Sequence, residues 1–311
     1  MNKDNSSFLI LFSRGPRSGC GHYSRSKIIQ EYIKYNIKAP VKISCIKDSE
    51  VSKKNISKII KNKIKKDKIK TLILDLNFIY LKSVLKIRKM LLDINKMDIV
   101  TIGIDSLRFF YKYLNYVWIP SPFKEKNLVS KNIIYGWDKM ILNRYKFTYK
   151  RSKKILFLFG SSKNILISKQ LPSLIERKIP REFKLHWVLG KFSEKPKNID
   201  TKRWVFHKNL KNLSSVLKKT GFVFSMYGLS FFEAMTCGIP TVAYCTKKNY
   251  KKDYKEIIFL KKKNICFIET ELNNAVIRLR CLIDSKKTCV NFVNNSKNFF
   301  YNFDFSFLKK I

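Results

Sequence analysis

Acidic residues are scarce in this chain. Only 22 Asp and Glu stand against 65 Lys and Arg in 311 residues, a formal net charge of +43. Such an excess points either to a polyanionic partner, nucleic acid or an anionic membrane surface, or to a codon bias that spreads lysine over every solvated face. The lysines run throughout, through Lys61–Lys70, Lys247–Lys255 and Lys261–Lys263, and assemble no nucleic-acid motif. Codon bias is therefore the first reading, attraction to anionic lipid the second, and specific nucleic-acid recognition is not expected. Long apolar runs are also missing. Nothing approaches the roughly 18–20 residues that cross a bilayer, and Phe8–Phe12 is too short for a signal-peptide core. The expectation is a cytoplasmic protein, peripheral at most at the inner face of the membrane. The seven cysteines (20, 45, 237, 245, 266, 281 and 289) are scattered, odd in number and include no C-x-x-C pair, so they read as reduced, mostly core thiols rather than a disulfide frame or a zinc site. No repeat of 20–50 residues occurs.

What is present is ample apolar material, 45% hydrophobic with 14% aromatic, enough to bury two domains of ordinary size. Glycine is sparse at ten residues, yet three of them, Gly15, Gly19 and Gly21, fall within seven positions. That stretch, Ser13 to Arg25, follows the apolar run Phe8–Phe12 and precedes a segment with helical spacing. A glycine loop between strand and helix exposes backbone N–H groups at a helix start, where the macrodipole adds roughly half a positive charge. The loop also carries His22 and three arginines, Arg14, Arg17 and Arg25, so it is a candidate anion site with a titratable group in it.

Along the chain, apolar periodicity predicts alternating strands and helices. Ile28, Ile29, Tyr32 and Ile33 form one stripe of a helix over 23–35, followed by strand Val41–Ile46 and a lysine-rich amphipathic helix over 50–69. Strand Thr71–Leu74 ends at Asp75, a helix covers 79–95, strand Ile99–Ile104 ends at Asp105, and Val117–Ile119 is a short strand. The polar stretch from about Asn143 to Lys154 marks a boundary, giving domains 1–148 and 149–311. The pattern then restarts with strand Ile155–Phe159, the turn Gly160-Ser161-Ser162 and a helix over 164–177. Strands Leu185–Leu189 and Trp204–Phe206, a helix over 209–219, strand Phe222–Ser225, helix Phe231–Cys237, strand Thr241–Tyr244 and a helix over 270–284 complete it, before an aromatic tail from Phe299 to Phe307. This alternation predicts two α/β domains with parallel sheets. His186 and His207 fall on strands and read as structural.

The second glycine turn is Met226-Tyr-Gly-Leu-Ser-Phe-Phe-Glu-Ala-Met-Thr-Cys-Gly-Ile-Pro240. Gly228 allows close backbone approach to a ligand, Leu229 and Ser230 stand at a helix start, and Glu233 is placed in the first turn. A carboxylate there either favours the helix dipole or accepts hydrogen bonds from a ribose diol beside a bound diphosphate.

That run, G-L-S-F-F-E-A-M-T-C-G-I-P-T-V, resembles the nucleotide-sugar signature of the C-terminal domain of GT-B enzymes, which include the N-acetylglucosaminyltransferase that makes lipid II. The N-terminal S-G-C-G-H-Y-S-R is similar to the G-x-G-H-x-x-R loop of a narrower group, the UDP-2,4-diacetamido-2,4,6-trideoxy-β-L-altropyranose hydrolase of pseudaminic acid synthesis and its spore-coat polysaccharide relatives. Y-G-W-D-K-M-I-L-N (135–143) and F-G-S-S (159–162) match the family in order, so the likeness covers about residues 8–245. The family's Asp-His-Tyr is Asp75-Leu76-Asn77 here, and its Gly-Gly turn is Phe159-Gly160.

The resemblance implies a GT-B fold, two Rossmann-like domains facing a cleft, and metal-independent cleavage of the anomeric bond of a UDP-sugar. No Asp-x-Asp metal motif and no cofactor motif is present. His22 matches the catalytic histidine, Gly19, Gly21 and Arg25 its loop, Gly160 and Ser161 the second-domain turn, and Gly228, Leu229, Ser230 and Glu233 the donor-binding positions. With an ordinary pKa near 6.5, His22 suits general-base work on water or on an acceptor hydroxyl, or, protonated, neutralisation of a leaving diphosphate. Hydrolysis is the first expectation. The alternatives are transfer of the sugar to a glycan or lipid-linked acceptor, and a GT-B scaffold that binds without catalysis.

Overall fold

The computed structural model describes residues 7–15, 20–47, 56–77, 84–121, 130–143, 145, 147–160, 165–191, 193–196, 199–208, 210, 212–297 and 304–311. The chain divides into two compact units, Met1–Ile141 with Asn302–Ile311, and Leu142–Tyr301.

The first unit is built on strands β1 (Phe8–Arg14), β2 (Val41–Lys47), β3 (Thr71–Asp75), β4 (Val100–Ile104), β5 (Tyr116–Ile119) and β6 (Ile133–Tyr135). They form one sheet in the order β2-β1-β3-β4-β5-β6, and every neighbouring pair is parallel. Both faces are covered, which is why β1 and β3 read as continuous apolar runs. On one face, Leu9, Leu11, Leu72 and Leu74 pack under helices α2 (Ile56–Lys66) and α3 (Val84–Asn95) and a 3-10 helix, Asp105–Tyr113. On the other, Phe8, Ile10, Ile73 and Ile102 pack against Ile29 of α1 (Gly21–Tyr32) and against Ile33, Phe305 and Leu308. Helix α2 buries Ile56, Ile60 and Ile64 at a four-residue spacing, each worth roughly 1.5–3 kcal/mol of burial. Of the aromatic tail, residues 299–303 lie outside the described residues, and Phe305 and Phe307 pack on this unit, where Trp118 meets both edge-on with centroids 4.9 Å apart.

The second unit carries β7 (Lys154–Leu158), β8 (Lys184–Leu189), β9 (Trp204–Lys208), β10 (Phe222–Met226), β11 (Thr241–Tyr244) and β12 (Phe267–Glu269), in the all-parallel order β12-β11-β10-β7-β8-β9. One face packs Ile155, Phe157, Trp187 and Phe224 against α4 (Ile165–Lys178) and α9 (Leu272–Asp284). The other packs Leu156, Leu158 and Val223 against α5 (Ser214–Leu217) and α6 (Leu229–Thr236).

Several expectations need correction. Of the helix expected over 209–219, residues 209 and 211 lie outside the described residues, and the helix observed is the single turn α5, at whose start the Ser214 N–H donates to Asn212 Oδ1. Helix α1 begins at Gly21, and its end widens into a π-helical turn, Ile33–Ile37, closed by Lys38 at φ 60°. The sequence reading assigned no element to the lysine run after residue 246, which forms two helices, α7 (Lys247–Lys252) and α8 (Tyr254–Lys262), nor to Lys286–Lys297, which forms a further helix, α10. The edge strands β6 and β12 have three residues each, too short for periodicity to register.

Candidate functional site

In open parallel sheets, ligands bind beyond the carboxyl ends of the strands where the strand order reverses. The order β2-β1-β3 places that point between β1 and β3, and β9-β8-β7-β10 places another between β7 and β10. Both glycine turns singled out in the sequence lie at such points. Residues 16–19 are outside the described residues, and Gly19 with them; so is Ser161 in the second unit.

In the first unit, His22 is the second residue of α1, directly after Gly21, and Asp75 is the last residue of β3. His22 Nδ1 lies 2.7 Å from Asp75 Oδ1. Arg25, one helical turn after His22, donates from Nε to Asp75 Oδ2 at 3.0 Å and from Nη2 to Oδ1 at 2.6 Å, a bidentate clamp. Arg25 Nη2 is also 3.0 Å from His22 Nδ1. A guanidinium can only donate, so the proton on Nδ1 and the one on Nη2 converge on the same carboxylate oxygen. That fixes the neutral imidazole as the Nδ1–H tautomer and leaves the Nε2 lone pair for chemistry. Among the described residues Nε2 has no hydrogen-bond partner.

The electrostatics of the cluster follow from its burial. The side chains of Asp75 and Arg25 are 1% and 9% exposed. Burial alone would raise the Asp75 carboxyl, but Arg25 and His22 outweigh it and hold it below the usual carboxylate range. Burial likewise opposes the Arg25 charge, and Asp75 and Asp105 together keep it raised. Asp105, at the end of β4, brings Oδ2 to 3.6 Å from Arg25 Nη1 and Oδ1 to 3.5 Å from Arg108 Nη1. Its backbone is left-handed at φ 52°, a strained conformation for a non-glycine residue at a strand end. Ser13 Oγ accepts from the Asn77 N–H at 2.9 Å, joining the ends of β1 and β3 beside the pair.

In the second unit, Gly160 follows β7 at φ 71°, and Gly228 follows β10 at φ 153° as the N-cap of α6. A side chain at either would be strained by the backbone, although among the described residues nothing lies within 4 Å of where its Cβ would stand. The carbonyl of Gly228 accepts from Phe231 and Phe232 at 3.0 and 3.2 Å. Leu229 and Ser230 thus occupy the first positions of α6, where a helix leaves its N–H groups without intrahelical partners. Tyr227, just before the turn, donates its hydroxyl to Glu256 of α8 in a short hydrogen bond. Burial, then Glu256, pushes that phenol well above its ordinary value. The sequence carried no signal for this pair, since 29 positions separate the two residues.

Glu233 is not in the first turn of α6, which holds no acidic residue. It is the fifth residue, 8% exposed, and faces inward. Its Oε1 accepts from Asn143 Nδ2 at 2.7 Å and from the Asn143 backbone N–H at 3.3 Å. The dipole reading therefore fails. Burial raises the Glu233 carboxyl, only partly offset by Asn143. Its second oxygen accepts no hydrogen bond among the described residues. His186 and His207, on adjacent strands, bond to each other, Nδ1 to Nε2 at 2.9 Å, with rings stacked. Among the described residues no group of three His, Cys, Asp or Glu is placed to hold a metal ion. No described helix is long and apolar enough to cross a membrane.

No family model matches the chain. An uncharacterized protein of Methanocaldococcus jannaschii is 32% identical over 146 residues, which is 44% of this chain and 29% of that protein, so the chain matches under a third of the relative's length. Among solved structures, UDP-GlcNAc 2-epimerase from Neisseria meningitidis, bound to UDP-GlcNAc, superposes with a TM-score of 0.62 at 13% identity over 94% of this chain and 98% of that one. MurG of Acinetobacter baumannii gives 0.57 at 9% identity over 94% and 95%. A glycosyltransferase of Rickettsia africae gives 0.59 at 10% over 99% and 96%. With its two six-stranded parallel sheets, the chain has the GT-B fold.

Proposed function

We propose that this protein is a glycosyltransferase that moves a sugar from a UDP-sugar to an acceptor hydroxyl without a metal ion. The observation that carries the reading is the His22–Asp75–Arg25 cluster at the β1/β3 reversal point. It has the form of a general base: a buried carboxylate holds Nδ1–H, the carboxylate is kept ionised by a buried guanidinium, and Nε2 is left free. Nε2 takes the acceptor proton as its oxygen forms the new bond to the anomeric carbon and the bond to the diphosphate breaks. Imidazolium formed in that step is stabilised by Asp75.

The donor's nucleotide belongs to the second unit in this reading. The amides of Leu229 and Ser230 and the turns at Gly160 and Gly228 suit a diphosphate. The free oxygen of Glu233 suits a ribose hydroxyl. GT-B neighbours that include a structure bound to UDP-GlcNAc support the donor class.

The second reading, hydrolysis of the UDP-sugar as in the pseudaminic pathway, is favoured by one observation, the Gly21-His22-x-x-Arg25 spacing. There water replaces the acceptor hydroxyl at the same base. The separating experiment incubates a panel of UDP-sugars with the protein alone and with glycan or lipid-linked acceptors, and follows UDP release. Release only with an acceptor supports transfer. Equal release of free sugar without one establishes hydrolysis, and no release with any donor, alongside no UDP binding, overturns both.

A further inference from the structure

The helical layer on one face of the first sheet has an outer surface that the catalytic reading leaves unused. Helix α3 buries Ile87, Met90, Leu91 and Ile94. Its opposite side carries Leu85, Arg88, Lys89 and Leu92 at positions i, i+3, i+4 and i+7, the spacing of a single helical stripe. Leu85 is 73% exposed, Val84 69% and Leu92 43%. The 3-10 helix packed beside α3 adds Phe109, 67% exposed. Isolated exposed apolar residues are ordinary, but here four sit on two adjacent elements. Neighbouring α2 shows the contrast, since its isoleucines at 56, 60 and 64 are buried and its outer side is lysine.

The charges of the layer are nearly all of one sign. Helix α2 carries five lysines and no acid in its sequence ISKIIKNKIKK, and α3 adds Lys86, Arg88 and Lys89. The one acid of α3, Asp93, is engaged by Ser57 at 3.0 Å and Lys61 at 3.6 Å. The 3-10 helix adds Arg108 and Lys112, and its one acid, Asp105, is engaged by Arg25 and Arg108. The Arg88 and Arg108 guanidinium groups lie over the rings of Tyr113 and Phe109, at 5.3 and 4.9 Å. Both cationic heads thus rest on aromatic faces, and Arg108, only 15% exposed, is also held by Asp105.

We propose that this face of α3 and the 3-10 helix docks onto an anionic lipid bilayer. Leu85, Leu92 and Phe109 enter the boundary between headgroups and acyl chains, and the surrounding lysines and arginines meet the lipid phosphates. The apolar residues favour this occupant over a nucleic-acid backbone, which offers leucine nothing to bury against. The proposal stands apart from the catalytic reading, and its test involves no turnover.

The full chain is sedimented with vesicles of mixed phosphatidylcholine and phosphatidylglycerol and with vesicles of phosphatidylcholine alone. Wild type should bind the anionic vesicles and lose most of that binding at high salt. The double variant Leu85→Ser/Phe109→Ser leaves the net charge unchanged and should weaken binding about tenfold or more, the loss expected for two apolar side chains withheld from the interface. A control pair exposed on the second unit, Ile277→Ser/Val290→Ser, should bind as wild type. Unchanged melting temperatures in both variants confirm folding. The proposal is overturned if wild type does not bind anionic vesicles, or if Leu85→Ser/Phe109→Ser binds them as tightly as wild type, since charge alone would then explain the attraction.

Discussion

Replacing Asp75 by Asn removes one charge from a cluster with almost no solvent to absorb the change. The side chains of Asp75 and Arg25 are 1% and 9% exposed, and two short hydrogen bonds join them. Breaking a buried pair by removing one partner costs about 3–5 kcal/mol, because the remaining charge stays desolvated. Asp105 at 3.6 Å is 40% exposed and compensates only in part, so the lower half of that range is expected. In a unit of this size such a loss lowers the melting temperature by on the order of 10 °C. The variant should also lose a pH response. The Asp75 carboxyl is depressed in the folded state, so its stabilisation is complete above the ordinary carboxylate value of 3.8 and is lost as pH falls below it. Scanning calorimetry from neutral pH to about pH 3 reads both effects. The double variant Asp75→Leu/Arg25→Met, which removes both charges, should regain much of the lost stability. An Asp75→Asn protein that melts within a degree or so of wild type would refute the reasoning, since only an exposed pair behaves that way.

The other predictions concern single groups. His22→Ala should lower turnover by about 10²–10⁴, the usual worth of a general base, while UDP affinity measured by calorimetry stays within a few-fold. Glu233→Ala should do the reverse, weakening UDP binding by roughly tenfold or more. Asn143→Ala should have a smaller effect on the same measurement, because it removes only the Nδ2 donor to one oxygen of Glu233 and keeps the backbone N–H. Burial, then His207 and Lys154, lowers His186 to about 4. A histidine depressed in the folded state makes stability fall as pH drops from about 6.5 toward 4, because the unfolded chain binds the proton first. His186→Gln should flatten that limb in thermal melts.

The strands of both sheets were legible because covered parallel strands are continuous apolar runs, and Thr71–Asp75 and Thr241–Tyr244 show it plainly. His22 and Arg25 were legible for a local reason, since four positions of one turn carry them next to a glycine pair. Their partner was visible only as the end of a strand. That Asp75 meets His22 depends on β1 pairing with β3, a contact across 53 positions that no local pattern encodes. Glu233 was misplaced by one turn because the start of α6 is set by Gly228, and the count to the fifth position turns the carboxylate inward onto Asn143. The helices after residue 246 were hidden by lysine, whose frequency along the whole chain masks the weaker apolar stripe of Ile257 and Leu260.

His22 is the base that takes the acceptor proton as the UDP-sugar bond breaks in the proposed reaction. The most direct test of that role is UDP release from a panel of UDP-sugars, with and without acceptors, by wild type and by His22→Ala at matched UDP occupancy. Wild type should release UDP, and the variant should lose nearly all release with UDP still bound. Equal release by both proteins, or wild type that neither binds UDP nor releases it from any donor, would contradict that role.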